Sequence, residues 1–274
     1  MRKIYAFADE ASHLIDSQIV AMERNGLDGL EIRNVDDINV SDITLEKAKE
    51  VKKKLDDNGL LTWSVGSPLG KIRFGVDDFS EHLEKFKHTI EIAHILGAEN
   101  IRIFSFYPPK GEDAAPYKNE VIERLGQFIE LADGSGVDLC HENEKGIYGD
   151  VASRCLEIHK ALPSLKAVFD PANFVQCAQD TLEAWDMLSP YVKYMHIKDA
   201  LADKSIVPAG CGLGHLPELL KMYDGPVTLE PHLKVFSGLA SLEDGDNLSE
   251  IGKYHFNSND EAFDAAVKAL RSIM

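Results

Sequence analysis

The stretch Leu139–Gly149 reads LCHENEKGIYG: an apolar run (Val137, Leu139, Cys140) that ends in His141, Glu142, Asn143, Glu144 and Lys145. Unpaired buried charge is costly, so a strand ending this way needs partners for those groups. Three later apolar runs carry ionisable groups at the same place. Ala167–Asp170 ends in Asp170, Tyr194–Ile197 holds His196, and Val227–Glu230 ends in Glu230. Three carboxylates and one imidazole, with no thiolate, form the donor set of one divalent cation that prefers oxygen ligands. Mn²⁺ or Mg²⁺ suits that set best, and Co²⁺ or Zn²⁺ remains possible. Any one of these residues alone could be a helix cap or a hydrogen-bonded core histidine. Their shared position sets them apart.

The elements that must position them recur along the chain. Candidate strands are Ile4–Phe7, Leu30–Ile32, Leu61–Val65, Ile101–Phe104, Val137–His141, Ala167–Asp170, Tyr194–Ile197 and Val227–Glu230. Amphipathic segments separate them: Ser17–Asn25, Leu45–Asn58, Phe79–Leu96, Asn119–Ser135, Val151–Leu162, Leu182–Leu188, Leu216–Met222 and Glu261–Ile273. Gly26, Gly59, Gly97 and Gly136 follow four of these segments as helix stops. Eight strands alternating with eight helices over residues 1–274 predict one α/β domain, a single (β/α)8 TIM barrel. A doubly wound sheet would carry a glycine-rich turn after its first strand. Here that turn is AFADEAS, and GCGLG at Gly210–Gly214 reads as a barrel loop.

Strand alternation sorts the four residues to one side. Glu142 shares a face with Cys140, Asp170 with Val168, His196 with Tyr194 and Glu230 with Thr228. The opposite face holds Leu139, Ala167, Phe169, Met195, Ile197, Val227 and Leu229, as a helix-covered surface should. The four groups therefore point together into the mouth at the carboxyl ends of the strands. Glu144 has the parity of Glu142 but lies past the strand, as a group behind a ligand or on the substrate. His141 faces outward, where a structural role is expected. Phe7, Glu31, Trp63 and Ser67, at early strand ends, are candidates for the pocket wall.

Composition narrows the function. The formal charge of −17 over 274 residues opposes DNA and anionic membranes as partners. No run of about 18 apolar residues exists to span a bilayer. The N-terminus turns acidic within about ten residues, unlike a secretory signal. The four cysteines form no CxxC pair and read as reduced thiols, which suggests a cytoplasmic setting. The segment Leu233–Asn259 is long for a βα connection and emerges on the mouth side. A lid or an intersubunit contact is expected there, and a homo-oligomer is possible.

Several stretches together carry a family likeness: HEN at His141–Asn143, FDPAN at Phe169–Asn173, HIKD at His196–Asp199 and TLEPH at Thr228–His232. PAGCGLGHLPELL at Pro208–Leu220 and GSPLGK at Gly66–Lys71 extend it over nearly the whole chain. The sequence resembles the xylose isomerase-like TIM barrel superfamily of sugar isomerases and epimerases, which includes an apurinic endonuclease branch. The resemblance implies metal ligation by Glu142, Asp170, His196 and Glu230. It also implies proton transfer on opposite sides of a sugar by the residues matching Glu142 and Glu230. Glu144, Lys145, Asn173, Lys198, Ser67, Lys71 and His232 are the candidates for binding substrate. Ketose 3-epimerases of the family often carry a histidine three residues after the aspartate ligand, where this chain has Asn173. The endonuclease branch needs several further histidines that this chain lacks.

The chemistry expected is proton transfer beside a carbonyl. A divalent cation holding a carbonyl and a hydroxyl oxygen stabilises the enediolate left when the α-proton departs. Return of the proton elsewhere gives isomerisation or epimerisation of a sugar or sugar derivative. Loss of a β-substituent from a keto-sugar or oxidised glycoside gives a lyase, and a non-catalytic sugar-binding barrel is the reading outside catalysis.

Overall fold

Apolar and polar residues alternate along the strands, and in the computed structural model they sort to the two sides of one closed sheet. Residues 2–237, 239, 251 and 254–274 are described. Eight strands form the barrel: β1 (Ile4–Ala6), β2 (Gly29–Ile32), β3 (Leu61–Val65), β4 (Asn100–Ile103), β5 (Asp138–Glu142), β6 (Lys166–Phe169), β7 (Val192–Ile197) and β8 (Val227–Leu229). Each pairs in parallel with its neighbours in the chain, and β1 closes the ring against β8. Gly29 is required in β2, since a Cβ there would lie 2.1 Å from the Leu61 carbonyl oxygen of β3.

Nine helices are found among the described residues: α1 (Ile15–Arg24), α2 (Leu45–Asp57), α3 (Phe79–Leu96), α4 (Lys118–Ala132), α5 (Ala152–Ala161), α6 (Pro171–Gln176), α7 (Thr181–Leu188), α8 (Leu216–Met222) and α9 (Asn259–Ile273). Asp78 opens α3 by accepting from the Ser80 and Glu81 amides. Gly97 ends it at φ +70°, a left-handed conformation that costs glycine little. None of these helices is long and apolar enough to cross a membrane.

The two faces of the sheet follow the predicted parity. Leu139, Phe169, Met195, Ile197, Val227 and Leu229 pack outward with the helices in the main core. Tyr5, Trp63, Cys140, Val168 and Tyr194 form a separate cluster inside the barrel. There Trp63 stacks on Tyr5 at 5.0 Å between ring centres, and Tyr194 meets Trp63 edge-on at 6.0 Å. Aromatic pairs of this kind add about 0.5–1.5 kcal/mol each beyond the area they bury. The barrel is thus filled beneath its mouth.

Strand and helix limits differ from expectation by a few residues, and α6 was not expected. Asp170 lies just past β6 because its side chain caps α6, accepting from the Asn173 amide at 2.9 Å. Two short antiparallel pairings, Asn34–Val35 with Ile38–Asn39 and Asp199–Ala200 with Ile206–Val207, decorate the mouth-side loops. The segment Leu233–Asn259 lies in large part outside the described residues, and with it the expected lid or intersubunit contact.

Candidate metal centre and active-site cleft

Each of the four central residues reaches the mouth from a different strand. Glu142 is the last residue of β5, Asp170 and Glu230 directly follow β6 and β8, and His196 lies near the end of β7. One ligand atom from each lies within 4.8 Å of all the others, and all four residues are buried. His196 Nδ1 is 3.1 Å from Glu142 Oε1, 3.4 Å from Glu230 Oε2 and 3.8 Å from Asp170 Oδ2. Ligands about 2.1 Å from an octahedral ion stand about 3 Å apart when adjacent and about 4.2 Å apart when opposite. The three distances from His196 Nδ1 lie between those two values.

Their electrostatics also suit a cation. Among the described residues, Glu142 Oε2 and Asp170 Oδ2, both buried, accept no hydrogen bond of good geometry. Each instead lies at ion-pair distance from a protein cation, Arg102 Nη1 at 3.2 Å and Lys198 Nζ at 2.8 Å. Lys198 Nζ is also 2.9 Å from Glu230 Oε2. Burial pushes Asp170 up to about 7 although Lys198 pulls the other way. Burial would raise Glu230 too, but Lys198, His232 and His196 outweigh it and hold that carboxyl well below its ordinary range. Burial lowers His196, yet Glu142 and Glu31 overcome it and raise the imidazole well above its ordinary value. A divalent ion could take over the charge balance that His196 and Lys198 supply here.

The comparisons with known proteins bear on this geometry. A family model described as xylose isomerase-like TIM barrel matches residues 19–271. The chain belongs to the xylose isomerase-like TIM barrel family. No curated protein matches it in sequence. Among solved structures it is similar to the probable 3-DHS dehydratase from Bacillus anthracis, at a TM-score of 0.74 and 17% identity over 99% of each chain. A structure of IolI protein with a bound zinc atom has the same TM-score and identity, covering 100% of this chain and 98% of the other. D-psicose 3-epimerase in the presence of D-fructose is likewise 17% identical at TM-score 0.74, covering 98% and 97%.

Beside the four central residues, this xylose isomerase-like barrel has a cleft lined by Arg33, Lys71, Arg102, Phe104, Glu142, Glu144, Lys145, Lys198, Glu230 and His232. Of the substrate-binding candidates, Glu144, Lys145, Lys198, Lys71 and His232 are on its wall. Glu144 accepts from Lys71 Nζ at 3.0 Å and stands 3.7 Å from Lys145 Nζ. Burial would raise Glu144, but the three lysines Lys71, Lys145 and Lys198 outweigh it and bring it down to about 2.

Ser67 and Asn173 are not on the wall of the cleft. Ser67 Oγ donates to the Arg102 carbonyl at 2.5 Å, tying the loop after β3 to β4. Asn173 Nδ2 donates to the Asn143 carbonyl at 2.9 Å and to Glu142 Oε1 at 3.3 Å, so it holds a central carboxylate from behind. Phe7, Glu31 and Trp63 also lie off the wall: Trp63 packs in the barrel interior, and Glu31 contacts His196. His141 faces outward, with its ring 5.8 Å from that of His159.

Besides Phe104, two charged cleft residues are absent from the sequence candidates. Arg33 is fully buried, binds both Asp9 oxygens at 2.9 and 3.0 Å, and reaches Glu10 at 3.2 Å and Glu230 Oε1 at 3.0 Å. Its guanidinium lies over the rings of Phe7 and Phe236 at 4.3 and 4.8 Å. Arg102 lies over Phe7 and Phe104 at 5.0 and 4.9 Å. The signal for both was strand alternation, since each is a charged residue with inward parity beside outward Ile32, Ile101 and Ile103. Glu10, Glu230 and His232 form a second acidic group. The Arg33 guanidinium pairs with both of its carboxylates, and burial pushes Glu10 up to about 8 although Arg33 pulls the other way.

Proposed function

We propose that this chain is a divalent-metal-dependent isomerase or epimerase of a sugar or sugar derivative, acting by proton transfer beside a carbonyl. One observation carries this reading. Of the four converging groups, Glu142 and Glu230 also line the cleft, whereas Asp170 and His196 lie beneath it. Two carboxylates are thereby offered to a substrate from strands β5 and β8. In this reading Glu142, Asp170, His196 and Glu230 hold one ion, with Mn²⁺ or Mg²⁺ suited to the oxygen-rich set. When bound, that ion supplies the positive charge that stabilises an oxyanion developing beside a carbonyl.

The protein groups do the rest. Arg102 Nη1, 3.2 Å from Glu142 Oε2, holds in place the carboxylate that would take an α-proton. Glu230 is held ionised between Lys198 at 2.9 Å and Arg33 at 3.0 Å and can accept or return a proton from its own side. Lys71, Lys145, Lys198 and His232 on the cleft wall supply donors for substrate oxygens. The similarity to D-psicose 3-epimerase supports a sugar as substrate. Elimination is the second reading, supported by the similarity to a probable dehydratase. It would use the same base, with the departing β-substituent protonated by a cleft donor.

The test is to incubate Mn²⁺-loaded protein with a panel of ketoses and 3-keto sugars in D₂O. Loss of the α-proton signal with formation of an isomer or epimer is the expected result. An unsaturated product would select elimination. A sugar that binds at the metal yet shows neither exchange nor product would establish a binding module instead.

A further inference from the structure

The His196 ring meets a carboxylate at both of its nitrogens. Nδ1 faces the central carboxylates, 3.1 Å from Glu142 Oε1 and 3.4 Å from Glu230 Oε2. Nε2 lies 3.0 Å from Glu31 Oε2, a residue that none of the chemistry above uses. Glu31 comes from β2, is completely buried, and does not line the cleft. Its other oxygen accepts from the Tyr194 hydroxyl at 2.8 Å, and that hydroxyl stands 3.1 Å from Ser64 Oγ. A line of contacts thus runs from the metal centre down into the barrel interior, where Tyr194 is wedged against Trp63.

An imidazole that binds an ion is neutral and carries one N–H, and which nitrogen holds it depends on the neighbours. An ionised carboxylate can only accept. Against Glu31, Nε2 must therefore be the donor, and the lone pair is left on Nδ1. The opposite tautomer would turn a lone pair on Glu31 and present N–H to the position where an ion must sit. Phe7, edge-on to His196 at 5.3 Å, fixes the plane of the ring but not its tautomer.

We propose that Glu31 is a positioning residue that fixes the Nε2–H tautomer of His196 and so makes Nδ1 the nitrogen that binds the divalent cation. Tyr194 serves Glu31 in turn by occupying its second oxygen. This rests on the metal-dependent reading above for the presence of the ion, and extends it to a residue that touches neither ion nor substrate. Partners of this kind, behind a metal-binding histidine, change metal affinity about 10–100-fold when removed.

The experiment measures Mn²⁺ affinity by titration for the wild type, Glu31→Leu, Glu31→Gln and Tyr194→Phe, with ¹⁵N-histidine spectra of the Zn²⁺-loaded proteins. Glu31→Leu should weaken Mn²⁺ binding about 10–100-fold. Glu31→Gln, which can still accept from Nε2–H, should recover much of that loss, and Tyr194→Phe should weaken binding less than Glu31→Leu. In the wild-type spectrum Nδ1 should carry the metal shift and Nε2 a slowly exchanging proton, which Glu31→Leu should expose to fast exchange. Unchanged affinity in every Glu31 variant, or a spectrum with Nε2 on the metal, overturns the proposal. If Glu31→Leu does not fold, Glu31→Gln, Tyr194→Phe and the wild-type spectrum decide it. A wild type that binds no divalent ion would sink the proposed function and this inference together. A wild type that binds normally alongside unaffected variants would sink only the inference.

Discussion

Glu142 and Glu230 differ from Asp170 and His196 in facing the cleft, so substitutions should separate the two pairs. Glu142→Gln and Glu230→Gln keep an oxygen donor but remove the proposed base. Turnover should fall by a factor on the order of 10² to 10⁴ while much of the metal is retained, as read by kinetics and metal analysis on the same samples. Asp170→Ala and His196→Ala should instead empty the centre, with metal content falling towards zero after dialysis. Equal metal content in all four variants would contradict the arrangement. The convergence of these four residues was legible in the sequence, because alternation along a strand is rigid and all four share one parity. Arg33 and Arg102 obey the same rule, but a lone arginine in or beside an apolar run reads equally as an exposed position, and only the fold shows that both are buried. Asn173 was expected on the substrate and instead holds Glu142. Its position three residues after Asp170 is common to both roles, and only the turn of α6 separates them.

At the level of elements, the loop Gly210–Gly214 shows what a sequence conceals. Its amides at Gly210, Gly212 and Gly214 each donate to the Asp199 carboxylate at 2.9 Å, with Asp199 nearly fully buried. A Cβ at Gly212 would come within 2.3 Å of Asp199 Oδ1, so the glycines let the backbone wrap the acid. The cluster was readable as a loop, but its acceptor lies outside the motif and only folding brings them together. Asp199 directly follows Lys198, whose ammonium sits on Asp170 and Glu230. Asp199→Ala leaves the buried amides of Gly214 and Ala200 without this acceptor, at about 1–3 kcal/mol for each one that water cannot reach. Urea unfolding should show a loss on the order of 2–4 kcal/mol, and Gly212→Ala a comparable one. An Asp199→Ala protein as stable as the wild type would show that the loop is held by other contacts.

For the molecule as a whole, the closed ring and its eight-fold alternation followed from hydrophobic periodicity, which is repeated often enough to survive errors of a few residues at each end. Acid sensitivity did not follow, because it depends on burial that the sequence does not show. Burial lowers His159 to about 4 despite its contact with the Leu165 carbonyl, and the ring stacks on Tyr191 at 5.0 Å. The unfolded chain takes up this proton near pH 6.5 and the folded chain only near 4, so between these values the unfolded state binds more protons. The stability that neutral His159 contributes is therefore full above pH 6.5 and lost as pH falls towards 4. His159→Phe cannot titrate. Its stability relative to wild type should rise by up to roughly 3 kcal/mol across that interval, as read by urea midpoints at several pH values. A constant difference would mean that His159 is not buried neutral. Arg33 has a consequence of another kind. It ties the turn after β1, through Asp9 and Glu10, to Glu230 at the end of β8, across the seam where the ring closes. On the ribosome the first three of these residues emerge early and wait for the fourth. In the proposed metal-dependent reading, the four donors Glu142, Asp170, His196 and Glu230 are complete only once position 230 has been translated, which would place metal loading at the last stage of the chain's birth.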